Sequence, residues 1–513
     1  MGRHVKILEK NNIDKRELGY YYTPTFIASY ISKRLLMIDP SGNKVLDPCV
    51  GQEELLEEFF NKGKAVDGID VFKYKTNYFC NFTQKDFIEL YRERKAIGKE
   101  AQISFDDLAL NLENNSNDDV KEMDYDYYIA NPPYNCHEVD YIKDNKKELQ
   151  ELFSDVGVHN MYSMFISAII DIAKEGALIG LITYDSFFTS KAHKELRKKI
   201  LSECTIHEVT MCSNDLFHEQ AADVRTSILI LQKGTKYQGQ VFVSNRPLSK
   251  EVFQFQLKKQ LEDFITGNAK HHDLSDIILS NPRDNNELII ECPDDIKLLF
   301  SNERLGEKFK CVTGISTGKD ELYLSKVKVE PFIIPFYKNP GKNRFFTNNN
   351  LFLHKDFLKF DSEIKNFMVR NKSLLFKSGI TCSSMGVEFT ASRLPENSTY
   401  GVNANIICED NDAWWLLAYL NSDLVTYLVR GILIRSNMIT SGYVSRIPLI
   451  NLNNEEKVIL GNFGIMAYEK AKNNEPYDEI LEKINTIVNK VAKITENTSS
   501  IILNFKLNLI QNT

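Results

Sequence analysis

The chain has 513 residues, 43% hydrophobic and 26% charged, with 63 basic and 70 acidic side chains for a net charge of −7. At roughly 150 residues per domain this length suggests about three folding units, or two larger ones, and the composition excludes a collagen-like, coiled-rod or disordered chain. The acidic balance argues against binding nucleic acid by bulk attraction alone, although it is compatible with a local basic cleft.

Residues 1–10 alternate charged and apolar positions without the apolar core of a secretory signal, and stretches such as 177–184 and 414–420 fall short of the ~20 apolar residues of a membrane span. A cytoplasmic protein with no membrane partner is expected. From Lys44 onward, short apolar runs alternate with helix-like segments, the pattern of a doubly wound, mostly parallel α/β sheet of the Rossmann-like kind. Strands are expected at 44–49, 65–71, 125–130, 177–184, 205–211 and 226–232. Between them, Ser163 to Ala173 places Phe165, Ile166, Ile169, Ile170 and Ile172 on one broad apolar face, and Lys191 to Leu201 repeats the theme under a basic outer face.

Residues 89–124 turn charged and polar, including the run Asn114 to Asp119, and read as an insertion outside the core. A polar stretch from Gly234 to about Arg283 suggests a connection, so the expected division is 1–235, a connecting region 236–300, and 301–513. The last part has short β-like runs at Cys311 to Gly314, Glu321 to Leu324, Phe332 to Pro335 and Glu388 to Thr390, then helices near Trp414 to Val429 and Asp478 to Ile494. A mixed α+β second domain with a helical tail follows. Nine cysteines, no two closer than eight residues, hold no Cys-x-x-Cys pair, which disfavours a disulfide framework or a zinc knuckle.

The most informative segment is Tyr125 to Tyr134, an aromatic strand ending in Asn131-Pro132-Pro133-Tyr134. The prolines fix φ and remove two backbone donors, leaving a rigid loop end. Such a loop suits chemistry on a planar amine, whose lone pair is delocalised into its ring. If the Asn131 side-chain oxygen and the Pro132 carbonyl each accept one amine hydrogen, the nitrogen is drawn toward a pyramidal, nucleophilic form, and the developing positive charge is stabilised where it appears. Tyr134 would stack on the heterocycle. Asn-Pro alone would be an ordinary strand-ending turn; four residues in this order at the carboxyl end of a sheet strand favour a site.

Upstream, Val45 to Glu53 reads as a strand, a turn and a helix beginning near Gln52, with Asp47 at the strand end and Gly51 allowing close backbone approach. The Gly-x-Gly-x-x-Gly set is missing, which disfavours a nicotinamide cofactor. Asp70 ends the next strand about twenty residues on, where ribose hydroxyls are commonly gripped. Asp86-Phe87 follows, an acid able to accept from a purine amine beside a ring able to cover its face. Each acid alone could be merely solvated.

Taken together, Gly19 to Pro24, Asp47 to Glu53, Asp70, Asp86-Phe87 and Asn131 to Tyr134 resemble the gamma class of DNA adenine-N6 methyltransferases of type II restriction-modification systems. Tyr162 to Lys174, Leu178 to Phe187 and Leu196 to Lys233 resemble later segments of that catalytic domain. Val312 to Gly318 and Leu417 to Ser422 resemble its target-recognition domain. The resemblance implies S-adenosylmethionine as methyl donor, with Tyr22, Thr23, Pro24, Asp47 and Gly51 near its methionine part, Asp70 at its ribose, and Asp86 with Phe87 at its adenine. It implies double-stranded DNA as partner, a target adenine rotated out of the duplex onto Asn131, Pro132 and Tyr134, no metal, and a monomer, since one copy carries every part. The sequence departs from the family at Glu53, where a small residue is usual and a carboxylate could repel that of the donor. Methylation of RNA bases or protein glutamine, or a catalytically silent DNA-binding component of a defence system, are the alternatives.

Three further segments invite a functional reading. Gly314 to Asp320 is one residue short of a phosphate loop and has Asp320 in place of the hydroxyl, so a turn is expected. His271-His272 lacks partners at ligand spacing and reads as a loop pair. Lys338 to Arg344, flanked by Phe345-Phe346, suits either phosphate contact or a plain surface loop.

Overall fold

The apolar runs of the first half become strands buried on both faces, as a parallel sheet between helical layers requires. The computed structural model describes residues 21–106, 122–134, 140–220, 224–348, 351–386, 388–434 and 438–511, and two units meet in sequence at Ile290/Glu291. In the first unit, β1 (Lys44–Asp47), β2 (Ala65–Asp70), β3 (Asn81–Gln84), β4 (Tyr127–Ala130), β5 (Leu178–Tyr184), β6 (Cys204–Met211), β7 (Thr226–Lys233), β8 (Val241–Ser244) and β9 (His271–His272) form one sheet in the order β3-β2-β1-β4-β5-β7-β6-β8-β9. Strands β1 to β5 run parallel, β7 is antiparallel between β5 and β6, β8 is parallel to β6, and β9 is antiparallel to β8.

The alternation of side chains builds two cores. Tyr128, Ala130, Ile179, Leu181, Leu229 and Leu231 face one, which helix Met161–Ile172 closes; Tyr127, Ile129, Leu178, Ile182, Ile228 and Ile230 face the other, which helix Thr25–Ile38 closes. The six expected strands are all present within two residues of their expected ends.

Three expectations are corrected. The helix placed near Gln52 starts at Glu57, because Gly51 (φ 53°) and Glu53 (φ 69°) both take left-handed conformations that break the chain first. The insertion at 89–124 opens as part of helix Phe87–Asp106, whose Phe87, Ile88 and Tyr91 are core residues; the run Asn114 to Asp119 lies outside the described residues. The region expected as a connection carries β8, helix Lys250–Thr266 and β9. This helix buries Phe253 and Leu257 in the second core, and its Gln260 (2.9 Å) shares the single Tyr30 hydroxyl hydrogen with Glu208 (2.5 Å).

In the second unit, β12 (Lys310–Val312), β18 (Gly379–Cys382), β19 (Ala391–Leu394) and β21 (Asn405–Ile407) make a four-stranded sheet ordered β12-β21-β18-β19. Another, of β14 (Leu324–Ser325), β15 (Phe332–Tyr337), β16 (Phe352–His354) and β20 (Thr399–Tyr400), is ordered β14-β16-β15-β20. Two short pairs join β10 (Ile278–Leu279) to β11 (Glu287–Leu288) in the first unit and β13 (Ile315–Ser316) to β17 (Met368–Val369) in the second. The run at Glu321 to Leu324 is mostly a short helix, Asp320–Tyr323, whose first turn is acidic, and Glu388 to Thr390 precedes β19 rather than forming a strand. Helices Asp410–Leu420 and Asn454–Lys472 pack closely at Gly464, where a Cβ would lie 2.3 Å from the Trp414 carbonyl. Helices Asp478–Val491 and Glu496–Gln511 form the tail. Among the described residues no helix is long and apolar enough to cross a membrane.

The three side segments resolve as structure. Gly318 (φ 70°) turns the chain into helix Asp320–Tyr323, and the two histidines form the exposed edge strand β9. Within Lys338 to Arg344, Arg344 is buried, donating to the Asn421 carbonyl (2.9 Å) and to Glu388 (2.6 Å), and Lys338 pairs with Asp320. Arg344 is thereby committed within the fold, while Lys338 and Lys342 stay exposed.

Candidate functional site

Strands β1 and β4 are neighbours, but the chain leaves them for opposite halves of the sheet, toward β2 and β5. That is the switch point where open α/β sheets form a crevice at the carboxyl ends of the strands. Asp47 ends β1, Asp70 ends β2, Asp86 follows β3 and Asn131 follows β4, so the expected residues lie along one edge.

The turn after β1 is built by the acids themselves. The Cys49 amide donates to Asp47 (3.0 Å), the Gly51 amide to Asp70 (3.0 Å) and the Phe72 amide to the other Asp70 oxygen (3.1 Å). Gly68 lets β2 pass beneath this turn, since a Cβ there would lie 2.7 Å from the Cys80 sulfur and 2.9 Å from Val50. Both acids are buried. Desolvation pushes Asp47 well above the usual carboxylate range, with Glu54 and Asp70 adding to the rise, and lifts Asp70 to about 6 against three stabilising amides. The Tyr74 hydroxyl is raised by burial and then by Asp70, and that of Tyr22 by burial and then by Glu54. An edge of this kind accepts hydroxyl donors and gains from a cation that restores the ionised carboxylates.

Asn131 is joined to the turn through Cys49. Burial, then Asp47 and Asp70, raise the Cys49 thiol, while a hydrogen bond from the Asn131 backbone N–H acts the other way. The side-chain nitrogen of Asn131 donates to the Tyr21 carbonyl (2.8 Å) and to Thr23 Oγ1 (2.9 Å). With both amide hydrogens committed to acceptors, the orientation of the side chain is set. Its Oδ1 is buried and has no donor among the described residues. A buried carbonyl oxygen without a donor costs on the order of 1–3 kcal/mol, which an incoming N–H recovers.

The other expected residues divide. Thr23 is buried against Asn131 rather than facing the acids. Pro24 caps helix Thr25–Ile38, and Tyr22 is held through its backbone, its amide donating to Gln220 and its carbonyl accepting from Gln220, both at 2.8 Å. Asp86 accepts from the Ile88 amide (2.8 Å) and the Tyr141 hydroxyl (2.7 Å). The Phe87 ring turns into the core against Phe165, centroids 5.0 Å apart. Pro132 is buried, as is Tyr134, whose hydroxyl donates to the Ile182 carbonyl (3.2 Å). Residues 1–20, including Gly19 and Tyr20 of the first motif, lie outside the described residues.

Glu53 does not point its charge into the crevice. Its carboxylate pairs with Lys75 and accepts from the Phe79 (2.7 Å) and Cys80 (2.8 Å) amides. Sequence reasoning gave no role to Cys49, Glu54, Tyr74, Gln220 or Tyr184. Only folding brings them to the edge, and no local spacing marks them.

Comparison with known proteins identifies the family. Residues 6–266 match the family model described as N-6 DNA Methylase. The chain is 28% identical over 227 residues, 39% of its length, to the type II methyltransferase M.BanIII of Aneurinibacillus aneurinilyticus, of which it covers 36%. It is 25% identical over 240 residues, 43% of its length, to the type II methyltransferase M.BsuBI of Bacillus subtilis, of which it covers 45%. The chain therefore spans less than half the length of these two relatives. Among solved structures it resembles the ATP-dependent Type ISP restriction-modification enzyme LlaBIII bound to DNA (TM-score 0.55, 11% identity, 91% of this chain and 40% of that one). The DrdV–DNA complex is also similar (TM-score 0.54, 11% identity, 91% of this chain and 58% of that one). At such identity the likeness concerns the fold.

Proposed function

The chain belongs to the N-6 DNA methylase family, and from that premise we propose that it transfers a methyl group from S-adenosylmethionine to the N6 amine of adenine at a specific site in double-stranded DNA. The observation that carries this reading is the buried, donorless Oδ1 of Asn131 at the carboxyl edge of β4. The buried acids fit the donor, which is cationic at sulfur and at its amine and offers two ribose hydroxyls; Tyr22, Asp47, Gly51, Asp70 and Asp86 would hold it. Bound there, S-adenosylmethionine supplies an electrophilic methyl group.

The chain's own residues supply the rest. Asn131 Oδ1 accepts one N6 hydrogen and the Pro132 carbonyl the other, drawing the nitrogen lone pair out of conjugation. Tyr21 and Thr23 hold the Asn131 amide so that its oxygen, not its nitrogen, meets the amine. As the N–C bond formed, the S–CH3 bond of the donor would break to leave a neutral thioether, the positive charge on nitrogen would lie against these two oxygens, and the surplus proton would pass to solvent. An adenine stacked in a duplex cannot reach such a site, so the base must be extruded, with Tyr134 as its platform.

The second unit is proposed to read the DNA, as the likeness over 91% of the chain to enzymes described in complex with DNA supports. Protection of the site from a cognate restriction endonuclease is the role this activity serves, and one copy, acting as a monomer in the cytoplasm, suffices for it. Against the silent-component alternative stands Glu53, whose charge is already met by Lys75 and two amides. Incubation with labelled donor and duplex DNA, RNA or a protein extract should label DNA. Modification-sensitive sequencing of DNA from expressing cells should then map N6-methyladenine to one recurring sequence. Label appearing only in RNA or protein would refute the acceptor.

A further inference from the structure

The platform proposed for the base is already occupied. The Tyr21 ring stacks on Tyr134, centroids 5.5 Å and planes 26° apart, and Tyr184 stacks on Tyr134 as well, at 4.5 Å and 28°. With these two rings stacked on it, Tyr134 is only 5% exposed. Phe217 closes the edge, 5.8 Å from Tyr21 and 6.4 Å from Tyr134. A base between Tyr21 and Tyr134 needs about 7 Å between those rings, twice the contact distance of carbon surfaces.

The backbone beneath Tyr21 is fixed. Its carbonyl holds the Asn131 amide, Thr23 holds it from two residues on, and Gln220 clasps Tyr22 through two hydrogen bonds. Rotation of the Tyr21 side chain would move its ring without breaking these hydrogen bonds, so Asn131 would stay oriented.

We propose that Tyr21 is the internal occupant of the base pocket: its ring covers Tyr134 until an extruded base displaces it, so Tyr21 sets the cost of base entry. This rests on the methyl-transfer reading above, with Tyr134 as the base's platform. The exchange of one stack for another keeps the face of Tyr134 covered in both states. It also favours a purine, whose larger π-face competes better with the phenol ring than a pyrimidine does.

The test uses the full chain and a duplex with the sequence mapped by modification sequencing, carrying 2-aminopurine in place of the methylated adenine. An aromatic stack is worth a factor of about three to ten in an equilibrium. Tyr21→Ala should therefore bind this duplex about three- to tenfold more tightly and raise its 2-aminopurine fluorescence, with the affinity for S-adenosylmethionine unchanged. Tyr21→Phe keeps the ring and should behave as the wild type. Should the alanine variant unfold, Tyr21→Leu, apolar but without a π-face, carries the same expectation. Unchanged or weaker duplex binding by the ring-free variant, with the wild type still methylating DNA, overturns the exchange while methyl transfer stands. A wild type that methylates no DNA removes the base pocket and the proposal together.

Discussion

Asp70 carries the clearest pH signature at the residue scale. Its carboxyl is lifted by burial from 3.8 to about 6, so between those values the folded chain binds a proton that the unfolded chain releases. Stability contributed by the neutral form is therefore present at low pH and is lost as pH rises through about 6, a change of at most about 3 kcal/mol. Donor binding runs the other way, because the ionised carboxylate is the better acceptor for ribose hydroxyls. Calorimetric titration should find affinity for S-adenosylmethionine falling as pH drops through about 6. In Asp70→Asn that step should be absent, and the decline of the thermal midpoint between pH 4 and pH 7 should be shallower. A wild-type affinity flat over this range would remove Asp70 from the donor site. Glu53 gives a second test. Its carboxylate is neutralised by Lys75 and two amides, so Glu53→Gln should lower the thermal midpoint by loosening the 75–80 segment, yet change donor affinity less than about threefold. A tenfold gain in affinity would mean that the carboxylate opposes the donor.

At the scale of elements, helix Lys250–Thr266 is joined to the sheet by a buried polar network rather than by apolar packing alone. Glu208 on β6 accepts from Arg34 (2.8 Å), Tyr30 (2.5 Å) and Thr210 (2.8 Å), and shares the Tyr30 hydroxyl hydrogen with Gln260. Glu208→Ala strands the Arg34 guanidinium, whose side chain is 7% exposed, and should destabilise the first unit by about 3–5 kcal/mol, read as a lower denaturant midpoint. Glu208→Gln, which keeps one oxygen for Arg34 and turns an NH2 toward the Tyr30 oxygen, should cost less; equal costs would mean that the lost charge, not the lost hydrogen bonds, sets the penalty. The same network explains what was hard to read. Strands β4, β5 and β7 were legible because burial on both faces writes continuous apolar runs. The edge strand β3 is mostly exposed and polar, and β9 is two exposed histidines, so neither carries a period. The helix at 250–266 pairs a few apolar contacts with partners more than 170 residues away in sequence, which no local window contains. The order of the acids and Asn131 along the edge was legible, since each ends or follows a strand. The turning of Phe87 into the core, the stacking of Tyr21 on Tyr134 and the neutralisation of Glu53 depend on tertiary contacts and were not.

For the whole molecule, the division at Ile290/Glu291 leaves every residue assigned to methyl transfer in the first unit, which matches the span of the family model at residues 6–266. The second unit, with its two four-stranded sheets and helical tail, is the one proposed to supply site choice. An acidic chain of net charge −7 must hold DNA through local cations, so duplex affinity should fall steeply between 50 and 200 mM salt; a flat salt dependence would contradict a phosphate-contacting interface. The claim on which the account turns is that Asn131 acts on the amine and not on the donor. Transfer of labelled methyl groups to duplex DNA by Asn131→Ala, measured beside calorimetric binding of S-adenosylmethionine, tests it most directly. The account predicts a loss of transfer of at least about a hundredfold with donor affinity preserved; transfer at the wild-type rate, or a loss explained entirely by weaker donor binding, would contradict it.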